Sequence, residues 1–169
     1  LLDCVLASYH KMVLDADALN ILSEAPQQAD DWVLTPHPGE ASRLLDCLPA
    51  DIQEDRFLAL KELVLRYRGV VALKGSGTLV GTSDKIPAIC SAGNPGMATA
   101  GMGDILSGII GGLIAQGLRC YEAATVGVMV HAKAADRASR EGGERGLLAT
   151  DLLNHIRLLV NPDDFDIES

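Results

Sequence analysis

The sequence is poor in aromatic residues, which make up 4% of it, with a single Trp, so no aromatic-rich sandwich core is expected. It is short of positive charge. Lys plus Arg total 14 against 23 Asp plus Glu, a formal net charge of −9. An acidic surface repels phosphate backbones, which argues against general nucleic-acid binding. A local anion site survives that argument, because backbone N–H groups bind anions without any net positive charge. The four cysteines, Cys4, Cys47, Cys90 and Cys120, form no close pair, which excludes a CxxC redox motif and a zinc knuckle. Reduced thiols of a cytoplasmic protein are the reading we adopt. The longest apolar run, Ile105 to Leu118, is interrupted by glycines and falls short of the ~20 residues of a bilayer span, so no membrane partner is expected. Residues 1–10 carry no basic segment ahead of an apolar one, so no secretory signal is expected.

What is present is glycine, 17 residues, and 48% apolar residues. At roughly 100–200 residues per domain, 169 residues make one domain. Leu1 to Leu6 has a helical apolar pattern. Short apolar runs at Met12–Asp15, Trp32–Thr35 and Val70–Leu73 read as strands, the last buried on both faces. Thr78–Gly81 reads as a strand returning antiparallel. Helices are expected over Ala16–Ser23, from Glu40 to Asp46, and over Ile52–Tyr67, where Phe57, Leu60 and Val64 share a face. Further helices are expected over about Asp104–Gln116, with Ile105, Ile109 and Leu113 toward the core, and over the Ala-rich segment from Tyr121 to Arg140. A last one starts with Thr150 as N-cap. Strands alternating with helices define an α/β fold with a mostly parallel central sheet.

Three glycine-marked segments could carry chemistry. Gly93 to Asp104 packs glycines ahead of a helix start. The unpaired N–H groups of Gly101, Met102 and Gly103 would form an anion hole, with Asp104 beside it as a proton acceptor. A base next to an anion hole suits phosphoryl transfer to a hydroxyl. The same residues also fit a plain glycine turn with Asp104 as a helix-start residue. Lys74, Gly75, Ser76, Gly77 and Thr78 follow a buried strand, where α/β sheets bind ligands, and could hold phosphate and ribose oxygens or simply turn the chain. Thr35-Pro36-His37-Pro38-Gly39-Glu40 fixes His37 between two prolines and sets Glu40 near a helix start. His37 could contact a polar substrate, and Glu40 could hold a hydrated Mg²⁺. Asp15, Asp17 and Asn20 could line the site or cap the next helix. His131 reads as a packing residue, and His10 and His155 as solvated.

Together, in this order, TPHPGE, LKGSGT, GNPGMATAGMGDILSGIIGGLIAQG and VHAKAAD…GLLATDLL resemble the ADP/ATP-dependent NAD(P)H-hydrate dehydratases. They look closest to the carboxyl-terminal part of bifunctional proteins that carry an epimerase first. The resemblance implies a ribokinase-like domain over residues 1–169, lacking amino-terminal strands that family members carry. It implies that the S-form of NADH hydrate or NADPH hydrate is phosphorylated at its C6 hydroxyl by ADP or ATP with Mg²⁺, and that phosphate is then eliminated. It implies Asp104 as base and substrate contact, His37 as substrate contact, Lys74 to Thr78 with Gly103 as the adenine-nucleotide site, and a homo-oligomer. A vitamin-precursor kinase on the same fold and a non-catalytic nucleotide-binding fragment are the alternatives.

Overall fold

The computed structural model describes residues 10–161. The helical pattern at Leu1–Leu6 lies outside them. Among the described residues, five strands form one sheet in the order β1 (Met12–Leu14), β2 (Trp32–Leu34), β3 (Val70–Leu73), β4 (Thr78–Thr82), β5 (Lys85–Cys90). The first three run parallel; β4 and β5 each pair antiparallel with the strand before. The sheet is therefore mixed, with β1–β3 as its parallel part. The return of β4 is the one the sequence predicts. β5 is not foreseen, because Lys85-Ile86-Pro87 is exposed and interrupted by proline. Proline is tolerated there because β5 is an edge strand.

Helices cover both faces. On one side lie α1 (Asp17–Glu24), α2 (Pro38–Leu45), α3 (Pro49–Glu54) and α4 (Arg56–Tyr67); on the other α5 (Met102–Ala115) and α6 (Cys120–Gly142). Side chains alternate across β2 and β3. Trp32, Leu34, Val71 and Leu73 enter the first core, and Val33, Val70 and Ala72 the second. This explains why Val70–Leu73 is continuously apolar. The last helix, α7 (Leu152–Val160), packs on the Ala-rich α6 through Leu152, Ala134, Ala135 and Ala138.

Five expectations need correction. The helix foreseen over Ile52–Tyr67 breaks at Asp55, which leaves helical geometry (φ −141°, ψ 88°) and accepts from the Leu58 N–H at 2.9 Å through Oδ1. Leu60 and Val64 are buried as foreseen, but Phe57 is 53% exposed. The buried stripe of α5 is Met102, Leu106 and Ile110; Leu113 packs partly buried against the same core as Leu106 and Ile110, as foreseen, whereas Ile105 and Ile109 are only partly buried. A helix apolar on every side has no unique face in its sequence, and packing on α6 selects one. Thr150 caps nothing. It lies inside a 3₁₀ turn, Ala149–Asp151, where Asp151 Oδ2 accepts from the Leu148 N–H at 2.8 Å. His155 is buried, with Nε2 3.5 Å from the Glu141 carboxylate. Cys47, Cys90 and Cys120 are free thiols, and no helix among the described residues is long and apolar enough to cross a membrane.

Candidate active site

The carboxyl ends of β1, β2 and β3 lie side by side, and each releases a polar residue toward the same point. Asp15 follows β1, Glu40 lies in the segment after β2, and Lys74 follows β3. The Lys74 Nζ is 2.8 Å from Asp15 Oδ1 and 3.7 Å from Glu40 Oε2. The Lys74 N–H also donates to the Pro36 carbonyl at 2.8 Å, which ties the second and third of these connections together. Asp15 Oδ2 accepts from Ser107 Oγ on α5 at 2.9 Å. Burial pushes the Asp15 carboxyl up. The Lys74 ammonium and the Ser107 and Thr35 hydroxyls more than offset this and hold it below the ordinary carboxylate range. Asp15 therefore belongs to the site and does not cap α1.

The start of α5 abuts this pair. A Cβ added to Gly103 would stand 3.2 Å from Asp15 Oδ2 and 3.4 Å from Lys74 Nζ, so glycine is what lets the helix approach. The N–H groups of Met102, Gly103 and Asp104 lie in the first turn, where no intrahelical carbonyl is available. Asp104 is exposed.

His37 does more than the sequence suggests. It is the N-cap of α2, which starts at Pro38 and not at Glu40. Its Nδ1 accepts from the N–H groups of Gly39 (3.0 Å) and Glu40 (3.3 Å). Glu40 Oε2 in turn accepts from the His37 N–H at 2.7 Å, which completes a reciprocal capping box. The imidazole is half-exposed and fixed, with Nε2 3.6 Å from Glu40 Oε1.

Beside the Lys74 cluster opens a cavity of about 510 Å³, within the range of small-molecule pockets. Lys74, Gly75, Ser76, Gly77, Thr78, Met102 and Gly103 line it, so the structure brings these sequence candidates together. Cys90, Leu106, Val128 and Ala132 form its apolar back. His37, Glu40, Gly101 and Asp104 are not among its walls; Glu40 reaches it only through Lys74.

Three contributors are not legible in the sequence. Arg56 grips the loop after β3 by its carbonyls. Asp136 on α6 holds the Gly93 N–H at 3.0 Å and Asn94 Nδ2 at 2.9 Å, pinning the glycine-rich segment. His131 packs as expected, but it also lines the cavity, and its Nε2 has no hydrogen-bond partner. Burial drives its pKa down to about 4, the Lys74 charge adds to this, and the Met102 backbone opposes it. The one available signal was a single Asp and His set into an Ala-rich helix.

A parallel run of strands with helices on both faces, and a candidate site at the strands' carboxyl ends, make this an open-sheet α/β protein, and its structural neighbours are ribokinase-like. A ribokinase-like superfamily protein from Enterococcus faecalis superposes with a TM-score of 0.78 at 26% identity, over 94% of this chain and 55% of that one. The family model for NAD(P)H-hydrate dehydratase matches residues 1–158, and the chain belongs to that family. A bifunctional NAD(P)H-hydrate repair enzyme from Coxiella burnetii is 60% identical over 162 residues, covering 96% of this chain and 33% of that protein. The ADP/ATP-dependent NAD(P)H-hydrate dehydratase of Bacillus subtilis, co-crystallised with ATP/Mg²⁺, matches with a TM-score of 0.78 at 28% identity, over 88% of this chain and 53% of that one. The chain spans about a third of the length of the bifunctional relatives it matches.

Proposed function

We propose that the protein of which these residues form part dehydrates the S-form of NADH hydrate and NADPH hydrate, driven by ADP or ATP. What carries the reading is the convergence of Lys74, Asp15 and Glu40 on the first turn of α5, beside a nucleotide-sized cavity, in a member of this family. Hydroxide is a poor leaving group and phosphate a good one. The hydrate's C6 hydroxyl attacks the terminal phosphoryl group of the nucleotide, and Asp104 takes its proton. The Gly101–Gly103 backbone and the α5 dipole stabilise the transferring group. The C6–O bond then breaks, pushed by the ring nitrogen; phosphate departs, a proton leaves the adjacent carbon, and NADH or NADPH results.

Lys74, Gly75, Ser76, Gly77 and Thr78 bind the nucleotide in this scheme, and His37 orients the hydrated dinucleotide. No group of three or more His, Cys, Asp or Glu that could cage a metal occurs among the described residues. Asp15 and Glu40, which already share one cation, suit a hydrated Mg²⁺ carried on the nucleotide's phosphates, where it neutralises their charge. An epimerase on the same polypeptide, a homo-oligomer and a cytoplasmic location, where NADH and NADPH are used, complete the reading. The test uses the full-length protein with hydrated NADH and ADP. Phosphate release matched mole for mole by recovered NADH absorbance is expected. A stable phosphorylated product would make it a kinase, and nucleotide binding without turnover a non-catalytic binding protein.

A further inference from the structure

The break at Asp55 puts Arg56 at the first position of α4, and its guanidinium then lies against the loop that follows β3. Nη2 donates to the carbonyls of Leu73 (3.0 Å) and Lys74 (3.4 Å); Nη1 donates to those of Gly77 (3.0 Å) and Ser76. Four carbonyls from five successive residues thus turn to one cation. In a planar trans peptide the N–H points opposite to the C=O. The N–H groups of Gly75 and Gly77 are therefore directed away from Arg56, and both glycines line the cavity. The turn needs glycine. Gly75 has φ +143° and Gly77 φ +68°, and a Cβ on Gly75 would meet Arg56 Nη2 at 3.1 Å.

Two further features set Arg56 apart from a surface brace. No carboxylate forms a salt bridge with it among the described residues, although Asp55 is its neighbour in sequence. Its Nε is buried without a partner. A half-buried cation with no counter-charge, separated from a cavity by one layer of backbone, raises the potential on the far side of that layer. Oriented N–H groups with positive charge behind them make an anion-binding wall.

We propose that Arg56 is a positioning residue for the nucleotide's phosphate oxygens, acting through the backbone of Lys74 to Gly77 without touching the ligand. This rests on the nucleotide reading of the cavity, and the test separates the two. In the full-length protein, hydrogen exchange of the amides of residues 75–77 is measured without ligand for wild type, Arg56→Ala and Arg56→Lys. The AMP dissociation constant is measured by calorimetry for the same three. Arg56→Ala is expected to speed exchange in this loop and to weaken AMP about tenfold or more. The KM for NADH hydrate should stay within about twofold, because His37 lies on another connection. Arg56→Lys should recover only part of the affinity, since a point charge cannot span four carbonyls. Millimolar guanidinium should restore AMP binding to Arg56→Ala. Should Arg56→Ala fail to fold, Arg56→Lys decides by the same two measurements. Loop exchange and AMP affinity at wild-type levels would overturn the proposal, as would equal losses for AMP and the hydrate. Wild type that does not bind AMP would overturn the nucleotide reading, and with it the ligand named for Arg56.

Discussion

Lys74, which lies against Gly103, and Asp104, the next residue of α5, are held in opposite ways. The Lys74 side chain is 19% exposed, and two carboxylates from neighbouring strand ends share its ammonium. Asp104 is exposed on the first turn of its helix. One charge is built into the junction of three strands and a helix; the other faces solvent. The difference teaches where function can be separated from folding. A group tied into the sheet contributes to stability and to binding together. A group that only faces solvent can be removed with little cost to the fold.

The sharpest way to break this comparison is Asp104→Asn. The amide keeps the shape and the helix start but cannot accept the hydroxyl proton. Turnover is expected to fall by roughly 10²–10⁴, with ADP affinity and melting temperature close to wild type. Near-normal turnover would reduce Asp104 to a helix-start residue, and a large drop in melting temperature would show that it is not merely displayed.

Lys74→Ala should do the reverse. Asp15 and Glu40 are left facing each other without their cation, in a place where Gly103 leaves little room for solvent. Calorimetry should find ADP bound about 10–100-fold more weakly. Thermal unfolding should show a stability loss of roughly 1–3 kcal/mol. An unchanged ADP dissociation constant would return the loop after β3 to the status of a turn.

A third test uses His131, buried in the wall of the cavity that Lys74 also lines. Its folded pKa of about 4 lies below the unfolded value of about 6.5. Above pH 6.5 both states are neutral there and stability is at its plateau. As pH falls from 6.5 to 4, the unfolded chain takes up a proton that the folded one refuses. Stability then drops, by roughly 3 kcal/mol across the window. Asp15 acts in the same direction, but only below its ordinary carboxylate value, because its folded pKa is depressed. Melting temperature measured from pH 7 to 4 should therefore slope in wild type and flatten in His131→Leu. Equal slopes would show that the imidazole takes up its proton without unfolding.

How much of this was readable from the chain depends on whether the partner was local. β1, β2 and β3 are short apolar runs with polar flanks, and the burial of β2 and β3 on both faces follows from their being continuously apolar. Lys74 to Thr78 and Met102 to Gly103, which the structure sets on one cavity, stood out as glycine-marked segments at a strand end and a helix start, although plain turns fit the same residues. The break at Asp55 did not stand out, since Ile52–Tyr67 keeps a helical period through it. The carbonyls that Arg56 collects after the break lie 17 to 21 residues away. Asp136 reaches 42 to 43 residues back to Gly93 and Asn94, which nothing near either end announces. Asp15 looked like a cap because capping is what Asp before a helix usually does. Its partner Lys74 is 59 residues on.

The smallest expected effect is at His37, and the structure changes how it must be tested. A stiff loop flanked by prolines would let His37→Ala remove one contact and leave the backbone in place. His37 is instead the N-cap of α2, so alanine also removes the acceptor for two N–H groups. That alone costs about 0.5–2 kcal/mol of stability. It would also loosen Glu40, whose carboxylate holds the His37 N–H and neighbours Lys74. A KM change in His37→Ala could then come from a lost substrate contact or from a displaced Glu40. His37→Asn separates the two, because asparagine caps well but lacks the ring. If the imidazole meets the hydrated dinucleotide, both variants should raise the KM for NADH hydrate several-fold, the size of one neutral hydrogen bond. Only His37→Ala should lower the melting temperature, and the ADP KM should hold in His37→Asn. A normal KM for NADH hydrate in His37→Asn would mean that His37 serves the fold alone. A rise confined to the ADP KM would mean that the nucleotide lies on the His37 side of the cleft and the hydrate on the Lys74 side.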